Sequence, residues 1–131
     1  DARPDAGAVV HTHSTYATVV ACLREPLPAI HYLIGFAGGE VPCIPYYPYG
    51  SAELARAAGE AMQSRNAVLL GNHGLIACGK DIAYAFSVAE ETEFVAELYV
   101  HTRELGGGTL LTKAELSEAM RRFESYGQKQ K

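Results

Sequence analysis

Apolar positions along the chain fall into short alternating runs and longer runs with three- to four-residue spacing, separated by breaks rich in Gly or Pro. Ala8-Val9-Val10 leads into His11-Thr12-His13. There the alternation predicts a β-strand with both histidines on one face and Val10 and Thr12 on the other. Tyr16 to Leu23 is small and apolar and predicts a helix that ends near Arg24-Glu25, because Pro26 and Pro28 disfavour helical backbone just before them. Ala29 to Ile34 reads as a second strand or a short turn of helix. Gly38-Gly39 breaks it, and a Pro- and Tyr-rich stretch, Pro42 to Gly50, follows.

Ser51 is a good N-cap, with Glu53 in the first turn and Leu54, Ala58, Ala61 and Met62 at helical spacing, so a helix is expected over about residues 52–64. Ala67 to Leu70 and Leu75 to Cys78 are short apolar runs joined by Gly71-Asn72-His73-Gly74, the pattern of a hairpin. Asp81 caps a long helix from Ile82 to about Leu105, with Ile82, Phe86 and Ala89 expected inward. Glu90, Glu91, Glu93, Glu97 and Glu104 are expected mostly outward, and Gly106-Gly107-Gly108 stops the helix. Thr112 and Glu115 have the capping-box spacing, so a last helix should run from Lys113 to about Glu124, with Leu116, Met120 and Phe123 on one face. Strands mixed with helices give an α/β class, and 131 residues suit one domain, 1–131.

Composition narrows the function. Hydrophobic residues at 48% and charged residues at 20% match folded globular proteins and exclude a disordered or collagen-like chain. A net charge of −4, with basic residues scattered apart from Arg121-Arg122 and the Lys129 to Lys131 tail, argues against nucleic acid as a partner. No apolar run approaches the roughly 18 residues of a membrane span. Cys22, Cys43 and Cys78 form no CxxC and read as reduced thiols of a cytoplasmic protein. The opening Asp1 to Gly7 has no initiator Met and runs at once into a strand pattern, which reads as a fragment entered midway.

Histidine carries the chemistry. His11 and His13, two apart on a strand, bring their imidazoles side by side, but a lone His-x-His is more often a polar pair on a half-exposed strand than a metal site. His73 changes the balance. It sits in a Gly-flanked loop that a ligand can approach, and three histidines match a catalytic zinc set with one position left open. His31, in apolar surroundings, reads as a core histidine with one hydrogen bond, and His101 as a solvated one. Tyr32 is either a packing residue or a proton donor, since a phenol near a divalent cation can protonate a developing alkoxide. Tyr46, Tyr47 and Tyr49 suit packing of a loop against another surface. Phosphate-loop, GxGxxG, GxSxG and HExxH signatures are absent, which removes most support for nucleotide-dependent and serine-hydrolase chemistry.

Taken in order, Val9-Val10-His11-Thr12-His13-Ser14, Ile30-His31-Tyr32, Gly38-Gly39 with Val41-Pro42-Cys43, Gly71-Asn72-His73-Gly74-Leu75-Ile76 and Phe123-Glu124-Ser125-Tyr126-Gly127 resemble the class II aldolase/adducin family. The resemblance runs from about residue 5 to residue 127. It implies a three-layer α/β/α domain with a mainly antiparallel central sheet, assembled as a homotetramer with active sites between subunits. It also implies that His11, His13 and His73 bind one zinc ion per subunit and that Tyr32 serves the aldehyde-derived oxygen as acid or base. Phe123 and Tyr126 would reach a neighbouring subunit's site. The implied reaction is retro-aldol cleavage of a sugar phosphate, a ketose 1-phosphate of the L-fuculose 1-phosphate kind, to dihydroxyacetone phosphate and an aldehyde. Zinc would act as Lewis acid without a Schiff-base lysine; Lys80 and Lys113 lie at helix starts. The resemblance further implies a preceding segment that supplies a glutamate base and phosphate-gripping loops, so activity is expected of the parent protein. Two other readings stay open. One is an epimerase acting on a pentulose 5-phosphate, against which the Ile30-His31-Tyr32 and Pro42-Cys43 context weighs. The other is a non-catalytic adducin-like module, against which the three histidines count.

Overall fold

The strand Gly74–Gly79 is buried on both faces, and the rest of the molecule is arranged around it. In the computed structural model, which describes residues 3–129 and side chains up to Glu124, the elements in chain order begin with β1 (Ala8–Thr12) and α1 (Thr15–Cys22). A 3-10 helix (Tyr32–Ala37), β2 (Cys43–Ile44), α2 (Ala52–Ala61) and β3 (Ala67–Leu70) come next. β4 (Gly74–Gly79), α3 (Ile82–Glu104) and α4 (Lys113–Lys129) complete the order. The sheet order is β1-β4-β3-β2; β1 and β3 flank β4 antiparallel, and β2 joins β3 in parallel. The sheet is therefore mainly antiparallel with one parallel edge, in an α/β domain.

Alternation along the strands separates two cores. Leu69, Leu75 and Ala77 face α1, α3 and the 3-10 helix, packing with Val20, Leu27, Ile34, Val41, Val88 and Val95. Val68, Leu70, Cys78 and Ile44 face the other way, onto Ala58 and Met62 of α2. The layers are thus helices, sheet and helix. α2 covers the β2–β3 half of its face and leaves the outer face of β1 open, where Val9 is 63% exposed. That uncovered half is where the histidines lie.

Several local expectations hold. Ser51 accepts from the Leu54 amide at 3.2 Å, and Asp81 accepts from the Tyr84 amide at 2.8 Å. Thr112 and Glu115 form the reciprocal box, at 2.9 and 3.1 Å. The Ala29 to Ile34 stretch resolves into the 3-10 helix, whose start is fixed by His31 Nδ1 accepting from the Leu33 amide at 3.1 Å. α2 ends at Ala61, and α4 continues past the expected Glu124 to Lys129.

The inward face of α3 needs correction. Ile82 and Phe86 are 64% and 54% exposed, and the buried stripe is Ala85, Val88, Ala89, Thr92, Val95 and Ala96. Small side chains win those positions because α3 lies close against both the sheet and α1. Glu93, expected outward, turns in toward the start of α1.

The three thiols are free. Cys22 is exposed, Cys43 half-buried and Cys78 buried. Burial pushes the Cys43 and Cys78 thiols above their ordinary value, which lowers their thiolate fraction at neutral pH. Timed alkylation followed by peptide mass mapping should find Cys22 labelled well before the other two in the native protein, and all three together after denaturation. Among the described residues no helix is long and apolar enough to cross a membrane.

Candidate metal centre

The three histidines reach one place by two routes. His11 pairs across β1 with Ile76 of β4, so the strand register fixes its backbone. Its Nδ1–H donates to the Leu75 carbonyl oxygen at 2.9 Å, which assigns the tautomer and leaves Nε2 as the free lone pair. His13 is one residue beyond β1, and the alternation carries it to the same side as His11. His73 arrives from the β3–β4 hairpin, whose closing pair is Leu70 and Gly74.

The turn is held from several directions. The His73 amide donates to Leu70 O at 2.9 Å, the Gly71 amide to Ile44 O at 3.0 Å and the Asn72 amide to Ala21 O at 3.1 Å. Asn72 takes a left-handed conformation, φ 55°, which asparagine tolerates better than most residues, and its side-chain oxygen accepts from Arg24 Nε. The glycines at either end are required for a different reason. A Cβ on Gly74 would stand 2.3 Å from the Thr12 carbonyl oxygen, and one on Gly71 would stand 2.9 Å from Ile44 O. Glycine there lets the backbones of β1 and of the segment after β2 close in on the loop. Gly74→Ala is expected to lower the unfolding free energy by about 1–3 kcal/mol, the usual cost of overpacking, and to loosen the β1 edge. A denaturant midpoint compared with that of the parent protein reads this directly.

The result is a triangle of imidazoles. Ring centroids lie 5.0 Å (His11–His13), 4.9 Å (His11–His73) and 5.1 Å (His13–His73) apart. One ligand nitrogen from each ring lies within 4.8 Å of the other two. That is a wider limit than the roughly 3–4 Å of a set already drawn in around a shared ion at about 2.0–2.1 Å. His11 and His13 are exposed and His73 is half-buried. Burial pushes the His73 imidazole below its ordinary value, and the neighbouring rings push the same way. Three imidazoles with one side open are the donor set of a catalytic divalent-metal site.

The open side is a cavity of about 600 Å³ between the triad and α2. Its walls carry Tyr46, Tyr49, Leu54, Leu70, Asn72 and Ile76 besides the histidines, so one flank is apolar and aromatic. Among the described residues no carboxylate and no lysine lines it. Tyr46 and Tyr49, expected as loop-packing residues, project into this cavity's walls at 50% and 87% exposure, while Tyr47 packs against the second core.

The other named residues lie elsewhere. Tyr32 is on the 3-10 helix, in the layer on the far side of the sheet, 49% exposed. It stacks on His31 at 4.6 Å between centroids and meets Phe123 of α4 at 5.9 Å. Tyr32 and Phe123 are thus together but outside the cavity of their own chain. Tyr126 falls on α4, with its side chain outside the described ones. His101 is half-exposed, within 3.3 Å of the Tyr16 hydroxyl and 3.2 Å of Glu104.

Glu93 was missed from the sequence, although it stands four residues after Ala89 and eight after Ala85, in phase with the buried stripe. Its two carboxylate oxygens accept from the Tyr16 amide at 2.9 Å and the Ala17 amide at 2.8 Å.

Comparison with known proteins agrees with the geometry. The family model described as Class II Aldolase and Adducin N-terminal domain matches residues 1–100. A 5-deoxy-D-ribulose 1-phosphate aldolase of Bacillus thuringiensis serovar kurstaki is 51% identical over 126 residues, 96% of this chain and 59% of the relative. An L-fuculose phosphate aldolase of Escherichia coli O6:H1 is 42% identical over 127 residues, 95% of this chain and 59% of the relative. A solved L-fuculose 1-phosphate aldolase superposes with a TM-score of 0.86 at 44% identity, over 88% of this chain and 55% of that one. The chain spans a little over half the length of these relatives. With a family match over most of its residues and high identity along nearly all of them, the chain belongs to the class II aldolase and adducin family.

Proposed function

We propose that this chain forms the metal-holding part of a zinc-dependent aldolase that cleaves a ketose 1-phosphate into dihydroxyacetone phosphate and an aldehyde. The observation that carries the reading is the convergence of His11, His13 and His73 on one open cavity, in a chain whose relatives are named as sugar-phosphate aldolases. The donor set fits zinc: three imidazole nitrogens, one of them tautomer-fixed by a backbone carbonyl, with a position left for substrate oxygen. When bound, the ion supplies Lewis-acid stabilisation of the negative charge that develops beside the ketone.

The chain's own residues do the rest of what this half contributes. Leu75 O orients His11, and the hairpin hydrogen bonds orient His73. The apolar flank of Tyr46, Tyr49, Leu54 and Ile76 receives the aldehyde end of the substrate. A surface of that kind suits a deoxy terminus, a methyl in place of a hydroxymethyl, and this favours a deoxyketose 1-phosphate as substrate. Removal of the proton next to the ketone needs a base, and no carboxylate is at the cavity among the described residues. We assign that base, with the phosphate grip, to the remainder of the whole protein, since this chain spans 59% of the length of its relatives.

Tyr32 is assigned as the acid for the aldehyde oxygen. Because it stands on the other side of the sheet from its own cavity, it acts in the site of a second copy, alongside Phe123 and Tyr126. That makes the working assembly a homo-oligomer, a tetramer in our assignment, whose sites lie between subunits.

Product analysis over matched ketose 1-phosphates tests the substrate. With the whole gene product, 5-deoxyribulose 1-phosphate should be cleaved with a kcat/KM about 10²-fold above ribulose 1-phosphate, the order by which an apolar pocket rejects an added hydroxyl. Equal rates would remove the deoxy preference, and absence of dihydroxyacetone phosphate from every substrate would remove the aldolase assignment.

A further inference from the structure

We infer that Glu93 is a positioning residue for the metal centre, acting on His13 through the first turn of α1; the inference rests on the triad binding a metal, as proposed above. The N-terminus of α1 leaves backbone N–H groups without helical partners, and the usual remedy is the side chain of the N-cap residue. Ser14 occupies that position but makes no capping bond. Its hydroxyl lies 2.9 Å from the Thr12 hydroxyl instead, the two side chains bridging across His13. The cap is supplied from another helix. Glu93 of α3 takes the Tyr16 and Ala17 amides, one on each carboxylate oxygen, and sets a negative charge at the positive end of α1.

This arrangement fixes His13 from both sides. Before it, Thr12 is paired with Leu75 in the sheet. After it, only Ser14 and Thr15 precede the amides that Glu93 holds. Among the described residues the His13 ring has no hydrogen bond comparable to that of His11, so its direction depends on the backbone between these two anchors. The far end of α1 completes the link, since Ala21 O accepts from the Asn72 amide next to His73. One carboxylate therefore seats the helix that touches both ligand-bearing segments.

The test compares zinc affinity by competition with a chromophoric chelator, the visible absorption of the cobalt(II)-loaded protein, and melting temperature, all on the whole gene product. The variants are Glu93→Gln, which keeps one acceptor, Glu93→Ala, and Asp81→Ala, which removes the equivalent cap of α3 at the far end of β4. Glu93→Gln and Glu93→Ala should weaken zinc binding by about tenfold or more, the lower range for loss of an outer-shell partner, and shift the cobalt spectrum. Asp81→Ala should lower the melting temperature and leave both metal readouts unchanged. Unchanged affinity and spectrum in both Glu93 variants would overturn the inference while leaving the triad as a metal site. So would a loss in Asp81→Ala equal to that in Glu93→Gln. A parent protein that binds neither ion would overturn the metal reading, and this inference with it.

Discussion

On the function proposed above, replacing His73 by alanine in the whole gene product should abolish stoichiometric zinc binding and lower cleavage by about 10³-fold or more, with the fold retained. The loss follows from what the ring does. Without it two nitrogens remain on an exposed strand edge, and a two-ligand site does not hold a catalytic ion against buffer and water. Removal of Lewis-acid stabilisation forfeits several kcal/mol at the transition state, and each 1.4 kcal/mol or so is about tenfold in rate. The fold should survive because the turn is held by backbone bonds to Leu70, Ile44 and Ala21, none of which uses the imidazole. The metal-free fold also draws nothing from a charge on this ring, since burial and the two facing imidazoles disfavour its protonated form. Thermal unfolding separates the two roles. Zinc at 1,000 times its Kd should stabilise the parent protein by about 4 kcal/mol through mass action. It should leave His73→Ala unmoved, with the variant's metal-free melting temperature close to the parent's. A variant that still melts higher with zinc would remove His73 from the ligand set.

The parts of this site that were legible in the sequence are those written in short-range pattern. Period two in Val10 to His13 put two histidines on one face. Gly71 and Gly74, framed by apolar runs, marked the hairpin that delivers the third, and the structure brings all three together. Capping chemistry was equally local: Ser51, Asp81 and Thr112 with Glu115 sit where their helices begin. What was not legible depends on distant partners. β2 is two residues long and exists because Cys43 and Ile44 lie beside Leu69 and Leu70 in parallel, a pairing no local period announces. Of the residues expected inward on α3, Ala89 is buried, but Ile82 and Phe86 are exposed. The helix's actual inward face is lined with alanine, valine and threonine, because close helix packing selects against bulk. Glu93 belonged to a run of acids that a charge pattern assigns to solvent, and its role appears once α1 is seen to lack a cap of its own. Tyr32 is the instructive case. Its sequence neighbourhood suggested a site residue, but chain topology puts the 3-10 helix across the sheet from the histidines, so the proposed acid role requires a second copy of the chain.

That separation leads to the second large effect. Tyr32→Phe in the whole gene product should lower kcat for cleavage by about 10²–10³, the usual order for one general acid and equal to roughly 3–4 kcal/mol. Zinc content and melting temperature should stay near the parent values. The ring keeps its stacking on His31 and its contact with Phe123, and the hydroxyl has no hydrogen-bond partner among the described residues to lose. Exchange of the proton next to the ketone of dihydroxyacetone phosphate should fall much less, since that step needs the base and the metal but no donor to the aldehyde oxygen. If Tyr32 only packs, the retained ring keeps stability, exchange and cleavage all near the parent values. The place proposed for it in a neighbour's site gives a stricter check. Tyr32→Phe and His73→Ala chains, each nearly inactive alone, should recover cleavage when dissociated together and reassembled. In the mixed oligomer some cavities pair an intact triad from one chain with an intact Tyr32 from another. No recovery, in mixtures shown by mass to contain both chains, would confine Tyr32 to its own subunit, where the sheet stands between its hydroxyl and the metal, and the acid would then have to be sought among residues that line the cavity, Tyr46 and Tyr49 first.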